Sequence, residues 1–141
     1  MSDVRGFTAA IGSISRMRER ARNPRPALEE AADIAGETIH RNFEVGGRPR
    51  WKPHAESTRR GTYGPSRLLV RSTALENSFR PFVTGRSAGQ RSSLVYGPRQ
   101  NFGYKGGPGR GHSPTPARTF AVFQPEDAGQ IGGVMLSHVV K

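Results

Sequence analysis

The chain has 141 residues, 33% of them apolar, with 18 glycines, 11 prolines and a formal net charge of +11. That length fits one domain of ordinary size and excludes two complete enzyme domains, while the glycine and proline content describes a small core carrying long, irregular loops. Cysteine is absent, which excludes disulfides, thiolate chemistry, iron–sulfur clusters and Cys-based zinc sites, and no run approaches the ~18 apolar residues of a membrane helix.

Phe7, Ile11, Ile14, Met17 and Ala21 recur at helical spacing, predicting a helix over 8–22 that ends at Asn23-Pro24. The segment is too polar for a signal peptide, so the expectation is a soluble protein made in the cytoplasm. A second helix starts at Pro26, gathers Leu28, Ala31, Ala32, Ala35, Ile39 and Phe43 on one face, and stops at Gly46-Gly47. Residues 44–67 contain three prolines and four glycines and read as a loop. Trp51, the only tryptophan, either folds over the edge of the core or anchors a partner.

Leu68, Leu69 and Val70 lead into a short turn containing Leu75, with Ser72 or Thr73 as its cap. Phe79 and Val83 then suit a strand on which Pro81 demands an edge. Gly85 to Gln90 reads as a connection and Ser92 to Tyr96 as the returning strand. Residues 101–118 hold five glycines and three prolines, predicting an extended loop that is mobile alone and ordered on a partner. A further strand is expected through Thr119–Phe123. Pro125, Glu126 and Asp127 open a final helix with Ile131, Val134, Met135 and Val139 on its apolar face.

This order describes an α+β domain: a small, mainly antiparallel sheet packed against one long helix, with long loops and a C-terminal helix. Residues 1–25 form an N-terminal helical segment and residues 26–141 the α+β domain.

The charge is unevenly placed. Residues 1–57 carry 10 basic and 8 acidic groups, residues 58–141 carry 12 and 3, and Glu76 is the only acid between Glu56 and Glu126. Arg59, Arg60, Arg67, Arg71, Arg80, Arg86, Arg91, Arg99, Lys105, Arg110 and Arg118 fill that interval. Such a field suits phosphates, with Tyr63, Tyr96 and Tyr104 available for stacking, acidic protein surfaces, where guanidinium groups add directional bonds, or solvent around a strongly soluble protein.

Catalytic chemistry finds little footing. His40, His54, His112 and His138 lie 14, 58 and 26 residues apart and form no compact ligand motif. Gly106 to Ser113 imitates a phosphate loop, but His112 replaces the required lysine and no strand feeds it. Glu29, Glu30, Asp33 and Glu37 read as a solvated helical face rather than an acid–base pair. These features predict no enzyme and no cofactor or metal.

Several short motifs occur in a telling order. They are Ile39-His40-Arg41-Asn42-Phe43 ending a helix, Gly46-Gly47, Trp51-Lys52-Pro53, Leu68, and Ser72-Thr73-Ala74-Leu75-Glu76-Asn77-Ser78. Val95-Tyr96-Gly97, Gln100-Asn101-Phe102-Gly103 and Pro116-Ala117-Arg118-Thr119-Phe120 follow. Over about residues 26–138 this order resembles the phage virion morphogenesis family, the tail-completion proteins of tailed bacteriophages. The resemblance implies a tail-completion-like α+β domain acting as a non-enzymatic building block at the head–tail junction or head-proximal tail end of the virion. It implies a homo-oligomeric ring, by preference a hexamer, bound to neighbouring connector and tail proteins, with nonspecific contact to DNA in a central channel and no membrane partner. Trp51, Arg59, Arg60, Tyr104, Lys105, Arg110 and Arg118 are the candidate partner contacts. The alternative is a basic nucleic-acid-binding module without a virion role.

Overall fold

Leu28, Ala31, Ala32, Ala35, Ile39 and Phe43 are all buried along one side of helix α2, Arg25–Val45. The C-terminal helix, a two-stranded hairpin and a 3-10 turn pack on α2. The protein was analysed as a computed structural model, which describes residues 2–56, 60, 69, 73–109 and 114–141. Helix α1 (Ser2–Arg22) precedes α2; a 3-10 turn (Glu76–Ser78), strands β1 (Arg80–Val83) and β2 (Ala88–Arg91), and helices α3 (Gly97–Phe102) and α4 (Pro125–Val140) follow. β1 and β2 form a two-stranded antiparallel sheet against α2, and α4 packs on α2 as well. The α+β class, the small antiparallel sheet on a long helix and the C-terminal helix are therefore all present.

Helix α2 ends where its glycines require. Gly46 takes the left-handed conformation at φ 74° and donates its amide to the Asn42 carbonyl. Gly47 follows at φ 99°, and a Cβ there would stand 2.4 Å from the Trp51 ring. Only glycine lets the chain double back so that Trp51 meets Phe43 edge-on, with ring centroids 5.6 Å apart. Phe120 stacks on Phe43 at 5.2 Å and Phe79 meets Phe120 at 5.7 Å. Ile39 and Leu75 complete this core, and Leu69 and Leu94 pack against it. Leu68, Val70 and Ser72 lie outside the described residues.

Two expected strands are replaced. The hairpin returns at Ala88 rather than Ser92, because Thr84 and Ser87 close the turn early. The Thr84 amide donates to the Ser87 carbonyl at 2.7 Å, and the Ser87 amide donates to Thr84 Oγ1 at 3.1 Å. Phe82 thus faces Gly89, and Pro81 faces Gln90. Gln90 fixes the hairpin to α2 by donating from Nε2 to the Ala32 carbonyl at 2.8 Å. Ser92 leaves the ladder, sharing a 2.6 Å hydrogen bond with Ser78.

Thr119–Phe123 forms no strand, bends at Ala121 and pairs with no strand among the described residues. Side chains satisfy its backbone instead. Asn42, fully buried, donates from Nδ2 to the carbonyls of Phe120 at 2.7 Å and Val122 at 3.1 Å. Asn101 Oδ1 accepts from the amides of Phe120 and Ala121, both at 3.0 Å. Trp51 Nε1 donates to the Thr119 carbonyl at 3.1 Å. These bonds meet the hydrogen-bonding demand that a neighbouring strand would have met.

The same asparagine leads into a second set of polar contacts. Asn42 Oδ1 accepts from Arg48 Nε at 2.8 Å, and Arg48 also holds Asp127 at 2.8 Å and Glu126 at 3.1 Å. Asp127 and Gln124 form the capping box that starts α4. Burial disfavours the ionised form of Asp127, but the Gln124 amide, Arg48 and Thr38 outweigh it and hold the carboxyl below its ordinary value. Ile131, Val134, Met135 and Val139 are half-buried along α4.

Helix α1 starts six residues earlier than the periodicity indicates and packs against α4. His138 Nε2 lies 2.8 Å from the Asn23 carbonyl and 3.2 Å from that of Arg20, fastening the end of α1. Phe7, Ile11 and Ile14 nevertheless remain exposed.

Asn42→Leu should lower unfolding free energy by roughly 2–4 kcal/mol, because it leaves two carbonyls and a half-buried guanidinium without their partner; a urea titration measures this. Asp127, with its folded pKa depressed, contributes stability above its unfolded pKa of about 3.9 and loses it as pH falls through the folded value. Asp127→Asn should therefore be less stable at pH 7 yet lose less on acidification from pH 5 to 2, followed by chemical melts across that range.

Candidate partner-contact surface

Two groups of candidate residues emerge. The first lies where the 51–53 loop crosses residues 118–119. Arg118 is buried, and its Nε and one terminal nitrogen donate to the carbonyls of Lys52 and Pro53 at 3.2 and 3.4 Å. Trp51 is 6% exposed and bonded to Thr119. Both side chains thus fasten two loops within the protomer, and Arg118 brings a positive charge under the edge of the core. Burial lowers its pKa, but a guanidinium starts high enough to remain charged.

His54 sits beside this junction. Its Nε2 is buried with no hydrogen-bond partner among the described residues. Burial, followed by the positive charge of Arg118, lowers its pKa from the usual value. The ring is thereby held neutral near pH 7.

The second group is the base of the glycine- and proline-rich loop. Tyr104 and Thr115 exchange both backbone hydrogen bonds, each at 2.8 Å. The Arg99 guanidinium lies 4.4 Å from the Tyr104 ring centroid and donates to Thr115 Oγ1 at 3.3 Å. Gly103 makes the closure possible: a Cβ there would fall 2.7 Å from the Ala117 amide nitrogen. The segment expected to be one long loop is thus clasped between Tyr104 and Thr115, and Lys105 beside the clasp is exposed.

Arg60 is exposed and paired with Glu56. Arg59 and Arg110, together with His112 and the end of the phosphate-loop-like run, lie outside the described residues. The structure thus joins Trp51 to Arg118 through their shared loops and sets Tyr104 beside Lys105, while Arg60 belongs to neither group.

The hairpin supplies a cationic feature that the candidate set omits. Arg80 and Arg91 are directly opposed across β1 and β2, and Arg86 occupies the turn; all three are exposed. Arg91 also lies 5.1 Å over the Phe82 ring. Correct placement of the turn was the signal needed, because it alone brings residues 80 and 91 together.

Among the described residues no group of three His, Asp or Glu side chains is placed to hold a metal ion. His40 Nδ1 lies 2.8 Å from Glu76, linking α2 to the 3-10 turn. No helix among them is long and apolar enough to cross a membrane.

Because the folded pKa of His54 is lowered, its contribution to stability is complete above the unfolded value of about 6.5 and declines as pH falls below it. His54→Gln should therefore show a smaller drop in melting temperature between pH 7 and pH 5 than the wild type, read by calorimetry; an equal drop contradicts the buried, neutral ring.

No family model matches the chain, and no solved structure matches it. It is 29% identical over 129 residues to the Mu-like prophage FluMu G protein 2 of Haemophilus influenzae, a match covering 92% of this chain and 88% of that protein. The chain is therefore similar, along nearly its whole length, to a phage-derived protein.

Proposed function

We propose that the chain is a non-enzymatic structural protein of the phage head–tail junction or tail terminus, made in the host cytoplasm and resident in the virion. It forms a ring, six copies by preference, that completes the tail and supports joining to the head. The near full-length similarity to a Mu-like prophage protein carries this reading, and the order of the family motifs gives it its finer content. The polar side chains add support, since Asn42, Arg48, Asn101, Arg118 and Asp127 are bound to backbone or to one another.

In this role each ring caps one assembly stage and creates the surface for the next. Repeated modest contacts give such a ring high avidity, and a central opening leaves a passage for DNA. Neighbouring connector and tail proteins are the partners, met by the clasped loop at Lys105, by Arg60 and by the arginines of the hairpin. Coulombic docking of this kind weakens as salt rises.

The experiment compares wild type with an Arg60→Ser/Lys105→Ser variant, binding each to purified tails and to nonspecific duplex DNA over a salt series. Both positions are exposed, so folding should be retained. Tail attachment should weaken about tenfold or less at low salt and converge with wild type at high salt, as expected for screened surface contacts. A sharp fall in DNA affinity with unchanged tail attachment would instead favour the nucleic-acid-binding module.

A further inference from the structure

Val4, Phe7, Ile11, Ile14, Arg18 and Arg22 follow one another at spacings of 3, 4, 3, 4 and 4, which places them along one ridge of α1. The first four are 70, 69, 49 and 64% exposed, and both arginines are exposed. Single exposed apolar residues are ordinary on a protein surface, whereas four in a row on one helix are not. The ridge differs from the side of α1 that carries half-buried Met17 and Arg20, and His138 fastens the end of the helix to α4.

The same chain holds a complementary surface. An open groove of about 510 Å³ runs between α2 and α4; Ala27, Ile34 and Val134 form its apolar part, Glu30 lies on its α2 side, and polar residues of α4 with Lys141 at the end of that helix complete the lining. Nothing lies within 4 Å of where a Cβ would stand on Gly129, Gly132 or Gly133, so another helix can approach α4 closely. The outward side of α2 adds exposed Asp33 and Glu37 next to Glu30.

We propose that α1 of one copy docks in the α2–α4 groove of a second copy. Phe7, Ile11 and Ile14 cover the apolar wall, while Arg18 and Arg22 face Glu30, Asp33 and Glu37. The ridge and groove are different surfaces, so the contact is head-to-tail and each copy keeps one free donor and one free acceptor until a ring closes. This inference rests on the ring reading above and assigns it an interface. A basic amphipathic helix also suits an anionic lipid surface, but lipid would leave the acidic edge and the groove without an occupant.

The test is the solution mass of the full chain by size-exclusion chromatography with light scattering. Wild type should be multimeric, and Ile11→Asp should be a monomer with unchanged circular dichroism. Arg18→Glu/Arg22→Glu and Glu30→Arg/Glu37→Arg should each dissociate alone, and an equimolar mixture of the two should reassemble, because each then offers the charge the other lacks. A multimeric Ile11→Asp, or no reassembly in the mixture, overturns this contact while leaving a ring built elsewhere. A monomeric wild type also overturns it. If that monomer still attaches to purified tails, the virion role stands without a preformed ring; if it instead binds phosphatidylserine–phosphatidylcholine vesicles through Ile11, the ridge belongs to lipid.

Discussion

A segment that pairs with no strand among the described residues must find partners for its backbone groups elsewhere, and residues 118–122 find them in three side chains and one carbonyl of helix α3. Asn42 takes two carbonyls, Asn101 two amides and Trp51 a third carbonyl; the Arg118 amide donates to Gln100 at 2.9 Å. Leaving such groups buried and unpaired would cost ~1–3 kcal/mol each. The stacking of Phe120 on Phe43 depends on this arrangement, since the ring stays in the core only while its backbone is satisfied. One asparagine on α2 therefore holds the last third of the chain against the first.

The arrangement continues outward without a break. Asn42 orients Arg48, Arg48 neutralises Asp127, and Asp127 caps α4. Helix α4 in turn receives the end of α1 through His138. The polar links lie inside this network, whereas the arginines of the hairpin, Lys105 and the apolar ridge of α1 lie exposed outside it.

Much of the fold could be read from residue order because the relevant signals are local. The apolar stripe of α2, the Gly46-Gly47 stop and the Pro-Glu-Asp opening of α4 each depend on neighbours within a few residues. Hydrophobic alternation places the returning strand too late, because the Thr84–Ser87 turn is closed by side-chain bonds that alternation does not reveal. The strand expected at 119–123 failed for a related reason. Phe120 does face the core while Phe123 is exposed, and the backbone partners of Phe120 come from positions 42 and 101, separated from it by 78 and 19 residues. Of the candidate contacts, Trp51 leaves a core-edge and a partner-anchor role open in the sequence, and its burial against Phe43 places it at the core. The burial of Arg118 could not be read from composition, which counts a cation without showing which carbonyls surround it.

The central claim is that the chain is a fixed part of the phage particle at one end of the tail. Immunogold electron microscopy of purified particles, assembled in cells where this chain is the sole source of the protein, tests it most directly. The account predicts label at a single position, the junction between head and tail. Particles free of label, or label spread along the tail tube or confined to released DNA, would contradict it.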